Sequence, residues 1–289
     1  MWSRWSHRRA FTVSITGISR ALLWRDRVLG RIRPGHWVDT DDAAVSKLEI
    51  ASGGNVLEAV FARPAAGEAR AAVLICHGIG ETIEHWVPVQ QLLAANGVAS
   101  LVFDYSGYGR STGRVDTAQC EADAIAAFDS MQELVPGLPT ALLGFSLGSG
   151  IAAAIVCKVQ TSKLVLCASF TSFRKAARSL GVPMRLVRGM PHVWRTDETL
   201  ADCGVPVLIV HGERDRLFPV TMAEELRAVS GEGAELVVVP RLTHNEPFYR
   251  PRLDYWGLIV ERLTDRMADG LTASRDAASE AVLRRSAGK

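Results

Sequence analysis

Six apolar runs of strand length constrain this chain most. AAVLIC, VASLVF, TALLGF, KLVLC, VLIVHG and ELVVV are almost unbroken in Val, Leu, Ile and Ala. A strand with one wet face alternates apolar and polar residues, so unbroken runs belong to strands buried on both faces. That burial requires helices on both sides of a largely parallel sheet. The intervening segments supply helical spacing at Glu84–Gly97, which ends in Asn96-Gly97, at Asp116–Leu134 and from Leu147 onward. Two earlier runs, VSKLEIAS and NVLEAVFARP, flank Gly53-Gly54 and read as a hairpin. The expectation is an α/β fold: an eight-stranded, mostly parallel sheet with an antiparallel start and helices on both faces.

This rhythm occupies residues 45–267 as one domain. Residues 1–44 form a basic N-terminal arm or helix, and residues 268–289 a polar, Ala-rich tail. Residues 171–204 break the alternation between two strands and read as a short cap insertion. Residues 134–157 carry no charge and are long enough to cross a bilayer. Pro136, Gly137, Pro139, Gly144, Gly148 and Gly150 divide them, however, and a strand, turn and helix fit better.

The chain has 33 Lys and Arg against 31 Asp and Glu, a net charge of +2, and no nucleic-acid-binding motif, so no nucleic-acid partner is expected. Five cysteines with wide spacing and no CxxC pair read as reduced thiols of a cytoplasmic protein. Scattered histidines without an HExxH pair give no metal site. Within residues 1–33, eight arginines face one acid, Asp26, with Trp2, Trp5 and Trp24 interleaved. Such a segment has the composition of a helix lying on an anionic membrane surface, and equally of an arm packed on the domain. The imperfect apolar face of residues 15–32 favours the packed arm.

Chemistry enters at Gly144-Phe145-Ser146-Leu147-Gly148, a G-x-S-x-G set between a strand and a helix. That placement forces a tight turn in which the serine is strained and its hydroxyl stands at the C-terminal edge of the sheet. A serine hydroxyl needs a base, and the base needs an acid to orient it. His244, on the loop after ELVVVP, and Asp215, just past VLIVHG, follow Ser146 in the order this architecture uses. Glu213 is the nearer rival to Asp215, but Leu217-Phe218-Pro219 behind Asp215 would fix its loop. Asp197 and Asp202 precede their strand and fall at the wrong edge. Backbone N–H groups of Leu147 and Ile79 are the expected donors to an oxyanion. His77 is expected to pin its loop by hydrogen bonding, and Cys76 to be packed within its strand.

HGIG, DYSGYGRSTG (104–113), GFSLGSG, HGERDRLFP and THNEPF together resemble the α/β-hydrolase superfamily over about residues 45–265. They are most similar to the subfamily of animal protein depalmitoylases with their fungal and bacterial relatives, and to bacterial serine aminopeptidase-like hydrolases. The resemblance implies a serine hydrolase without a cofactor, with Ser146 as nucleophile, Asp215 as acid, His244 as base, and Ile79 and Leu147 as oxyanion donors. Residues 1–40 lack the N-terminal cysteine cluster by which the animal depalmitoylases are lipidated.

The expected function is cleavage of a small-molecule carboxylic ester or thioester through an acyl-enzyme. Peptidase or amidase chemistry shares the same motifs. A non-catalytic binding protein on this fold would lack one of the three residues, and none is missing. Phe173, Met184, Met190 and Trp194 of the cap are the expected pocket lining. The cap also carries Arg174, Lys175, Arg178, Arg185, Arg188 and Arg195 with no acid before Asp197. They read as a solvated face, or as a basic rim for an anionic substrate or membrane surface.

Overall fold

The computed structural model describes residues 42–249, 251 and 253–265, so residues 1–41 of the expected basic arm and the C-terminal tail lie outside the described residues, and Ala43 and Ala44, expected in the arm, begin the first strand. Eight strands, β1 (Ala43–Ser52), β2 (Asn55–Pro64), β3 (Ala71–Cys76), β4 (Val98–Phe103), β5 (Thr140–Phe145), β6 (Lys163–Cys167), β7 (Val207–Gly212) and β8 (Ala234–Val239), form one sheet. Their order is β1-β2-β4-β3-β5-β6-β7-β8. β1 pairs antiparallel with β2, and β2 with β4; every other pairing is parallel. The hairpin closes at Ser52↔Asn55. Gly53 and Gly54 both have positive φ there, which the two-residue turn matching strand twist demands.

The helices are α1 (Val87–Ala95), α2 (Thr117–Leu134), α3 (Leu147–Ile155), α4 (Phe173–Ser179), α5 (Met184–Val187), α6 (Thr196–Ala201), α7 (Val220–Val229), α8 (Glu246–Tyr249) and α9 (Leu253–Thr264). A 3₁₀ turn, Ile83–Trp86, precedes α1, because Pro88 suits the start of an α-helix and not its interior. Asp116 caps α2 by accepting from Ala118 N at 2.9 Å. α7 and α9 add to the helices expected from the sequence.

Alternate residues of each central strand feed two cores. Leu74, Leu142 and Leu166 point to the side covered by α2, α3 and α7, where Phe128, Met131, Ile151 and Leu226 are buried. Val73, Leu143 and Val210 point to the side covered by α1 and α9, where Trp86, Leu93, Trp256 and Ile259 are buried. The uncharged stretch 134–157 resolves into a loop, β5, a turn and α3. Among the described residues no helix is long and apolar enough to cross a membrane. Between β6 and β7 the chain forms the short helices α4, α5 and α6.

Candidate active site

Ser146 stands at the turn from β5 into α3 with φ 52° and ψ −119°, a left-handed conformation that costs a non-glycine residue energy. The neighbouring glycines make the turn possible. A Cβ on Gly148 would fall inside the Cys76 carbonyl at the end of β3, and one on Gly144 would lie 2.5 Å from the Ser149 Cα in α3. The chain therefore passes between strand and helix only where side chains are missing.

Three parallel strands end at the same edge, and their loops meet. Ser146 follows β5, Asp215 follows β7 and His244 follows β8. His244 Nε2 lies 2.9 Å from Ser146 Oγ, and His244 Nδ1 lies 2.7 Å from Asp215 Oδ2. All three residues are buried to within 6–7% exposure. The imidazole lies between Phe218, in a T-shaped contact with ring centroids 5.2 Å apart, and Phe145, tilted by 51° at 5.4 Å. Asp215 Oδ1 accepts from the Leu217 and Phe218 amides at 2.8 and 2.9 Å, so the Leu217-Phe218 turn fixes the carboxylate. Burial alone would raise the Asp215 pKa. The hydrogen bond and charge of His244, with the Phe218 amide, more than offset it and hold the carboxyl below its ordinary value. An ionised Asp215 requires the proton of His244 on Nδ1, which leaves Nε2 to accept from the Ser146 hydroxyl. Glu213 is turned away and accepts from Arg241 N at 2.8 Å. Asp197 pairs with Arg195 at 3.1 Å.

Ser146 and His244 open into a narrow cavity of about 70 Å³. Ile79, from the loop after β3, and Leu147, the first residue of α3, both line it. The rest of the wall is largely apolar: Phe170, Phe173, Ala176, Ala177, Leu180, Leu217 and Phe218, with Glu81 and Asn245 as polar members. Of the four cap residues expected at the pocket, Phe173 alone lines it. Trp194 stands one layer behind, its ring 5.0 Å from that of Phe173. Met190 is buried against the cap itself, and its carbonyl accepts from Arg174 Nη2 at 2.6 Å. Met184 is 42% exposed, because the single turn of α5 sends only Val187 inward. A four-residue helix carries one inward position, and composition cannot say which.

Glu81 was missed in the sequence. It is 4% exposed, and its Oε2 accepts from Gly78 N at 2.8 Å and from Trp86 Nε1 at 2.9 Å. It thereby ties the loop carrying Ile79 to the 3₁₀ turn. The acid is visible in HGIGE, but nothing local says that it is buried. His77 is fully buried, and its Nδ1–H donates to Gly78 O at 2.8 Å, while Nε2 lies 3.5 Å from Asp104 Oδ1. Burial lowers His77 to about 4 and raises Asp104 to about 7. Cys76 is packed at 0% exposure and burial pushes its thiol up to about 12, so it is no nucleophile at neutral pH. All five cysteines are free. Among the described residues no group of three or more His, Cys, Asp or Glu could hold a metal ion.

Comparison with known proteins agrees with this architecture. The Hydrolase_4 family model, described as serine aminopeptidase, S33, matches residues 67–184. The uncharacterized protein Rv2307c of Mycobacterium tuberculosis is 34% identical over 182 residues, covering 61% of this chain and 63% of that one. Lysophosphatidylserine lipase ABHD12 of Macaca fascicularis is 27% identical over 186 residues, covering 57% of this chain and 47% of that one. The chain thus spans about half to two thirds of the length of these relatives. Among solved structures, the Pyrococcus furiosus esterase Pf2001 superposes with a TM-score of 0.65 at 19% identity, over 81% of this chain and 99% of that one. With an eight-stranded sheet in this order, a strained serine between β5 and α3, and these similarities, the chain has the α/β-hydrolase fold.

Proposed function

We propose that this protein is a serine hydrolase that cleaves a carboxylic ester or thioester through an acyl-enzyme. The observation that carries the reading is the unbroken relay from Asp215 to His244 to Ser146, 2.7 and 2.9 Å per step, at the mouth of an apolar cavity. His244 Nε2 takes the Ser146 proton as Oγ attacks the acyl carbon. The oxyanion is held by the Ile79 and Leu147 N–H groups. The imidazolium, stabilised by Asp215, then protonates the departing alkoxide or thiolate, and the acyl group remains on Ser146. Water, deprotonated by the same imidazole, attacks the acyl-serine and releases the acid and the free hydroxyl.

The apolar wall from the cap suits an acyl chain rather than a charged one. The names of two similar proteins, a lysophosphatidylserine lipase and an esterase, support ester over amide cleavage. The name of the matching family model favours an aminopeptidase, and that is the second reading. A panel of p-nitrophenyl esters, acyl thioesters and aminoacyl amides separates the two. Ser146→Ala is expected to abolish both ester turnover and labelling by a fluorophosphonate, and retention of either overturns the proposal.

A further inference from the structure

We propose that the outer face of the cap, around α5, docks on an anionic lipid surface. Three observations on one short stretch carry this. First, Met184 and Leu186 are 42% and 47% exposed, while Val187 between them and Arg188 anchors the turn in the core at 5%. α5 therefore lies on the surface and turns two large apolar side chains outward. Second, Arg185 and Arg188 flank them, both exposed and without an ion pair among the described residues, while the exposed Arg178 donates from Nη1 to Met184 Sδ at 3.8 Å. The other cations of the segment are engaged: Lys175 with Glu225 at 2.7 Å, Arg195 with Asp197 and Glu198, and Arg174 with the Met190 carbonyl. Third, no acidic residue occurs from 134 to 196, so no carboxylate within the segment competes for these guanidinium groups.

Single exposed apolar residues are ordinary on a protein surface. Two of them framed by unpaired arginines make the composition of an interfacial element, in which apolar side chains enter the acyl boundary and cations meet headgroup phosphates and carboxylates. Phe173, Ala176, Ala177 and Leu180 of the same segment line the cavity that contains Ser146. Docking through α5 would set the rim of that cavity against the lipid, where an amphiphilic ester could enter without crossing water. This last consequence rests on the proposed hydrolase function; the docking itself does not.

The test is co-sedimentation of the full chain with vesicles of phosphatidylcholine alone or with about 30% phosphatidylserine. Binding to the anionic vesicles, weakened by high salt, is expected. R185E/R188E should lower the partition coefficient at least tenfold, from roughly fivefold per arginine. M184S/L186S should lower it as well, with thermal midpoint and turnover of a soluble p-nitrophenyl ester unchanged in both variants. S146A should bind vesicles as the parent does, so loss of hydrolysis and loss of docking are read separately. The proposal is overturned if both double variants sediment like the parent, which would put any binding elsewhere, in residues 1–33 for example. It is equally overturned if the parent binds neither vesicle, or binds both alike.

Discussion

Glu81 illustrates how a residue outside the proposed proton relay can bear on it. Its carboxylate accepts from Gly78 N and Trp86 Nε1 in a buried setting, so removing it strands two donors. Glu81→Ala is expected to cost about 2 kcal/mol of stability. If the Ile79 N–H serves an oxyanion, kcat should fall about tenfold or more with KM little changed, because the loop is displaced only where charge develops. Steady-state kinetics on a soluble ester and urea unfolding check the two parts. His77 and Asp104 make a second residue-scale case. With His77 at about 4 and Asp104 at about 7, the folded pair holds one proton across the interval between them. The unfolded chain also holds one over most of that interval, on histidine, because free aspartate ionises near ~3.9 and histidine near ~6.5. Equal proton uptake gives stability little slope with pH from this pair. Asp104→Asn removes the folded-state holder and leaves a buried histidine that stays neutral while its unfolded counterpart charges. The variant should therefore lose about 2 kcal/mol more than the parent as pH falls from 6.5 to 4, read from unfolding curves at several pH values.

At the scale of elements, the site depends on how closely α3 approaches β3. Parallel register places Gly144 beside Cys76, and Gly148 then enters α3 with its Cα against the Cys76 and His77 carbonyls. The obstacle is the Cys76–His77 backbone, so it cannot rotate aside. Gly148→Ala must push α3 away from the strand and carry Ser146 with it. The expected cost is about 3 kcal/mol, with loss of ester turnover greater than the loss of folded protein. Comparing the unfolding midpoint with kcat in the same preparation tests this. The cap behaves differently. α4 contributes Phe173, Ala176 and Ala177 to the cavity, while α5 contributes none of its residues and buries only Val187 in the same core.

For the whole molecule, Trp256 ties the core on the α1 and α9 side to the loop that carries His244. Its ring packs in a T-shape against Trp86 at 6.3 Å, and its Nε1–H donates to Pro247 O at 2.6 Å, three residues past His244. Trp256→Ala should cost about 3–5 kcal/mol through the cavity it leaves. It should also lower kcat by releasing the loop that holds the imidazole, which denaturant unfolding and single-turnover kinetics would resolve. Much of this molecule is legible in the chain. Strand-length Val, Leu and Ile runs determine a parallel sheet because only two-sided burial stabilises them, and the glycines around Ser146 determine the turn because no side chain fits there. The positions of Asp215 and His244 follow from strand ends, which the same runs mark. What only the tertiary structure decided is burial away from those periodic elements. Glu81 and Asp104 are ordinary loop acids in sequence and become buried through contacts with Trp86, Gly78 and Ile83. Met184, Met190 and Trp194 carry the same apolar chemistry as Phe173 and yet fall outside the cavity. Short helices and loops have too few residues to impose a period, so packing against the rest of the fold chooses which side chains turn inward.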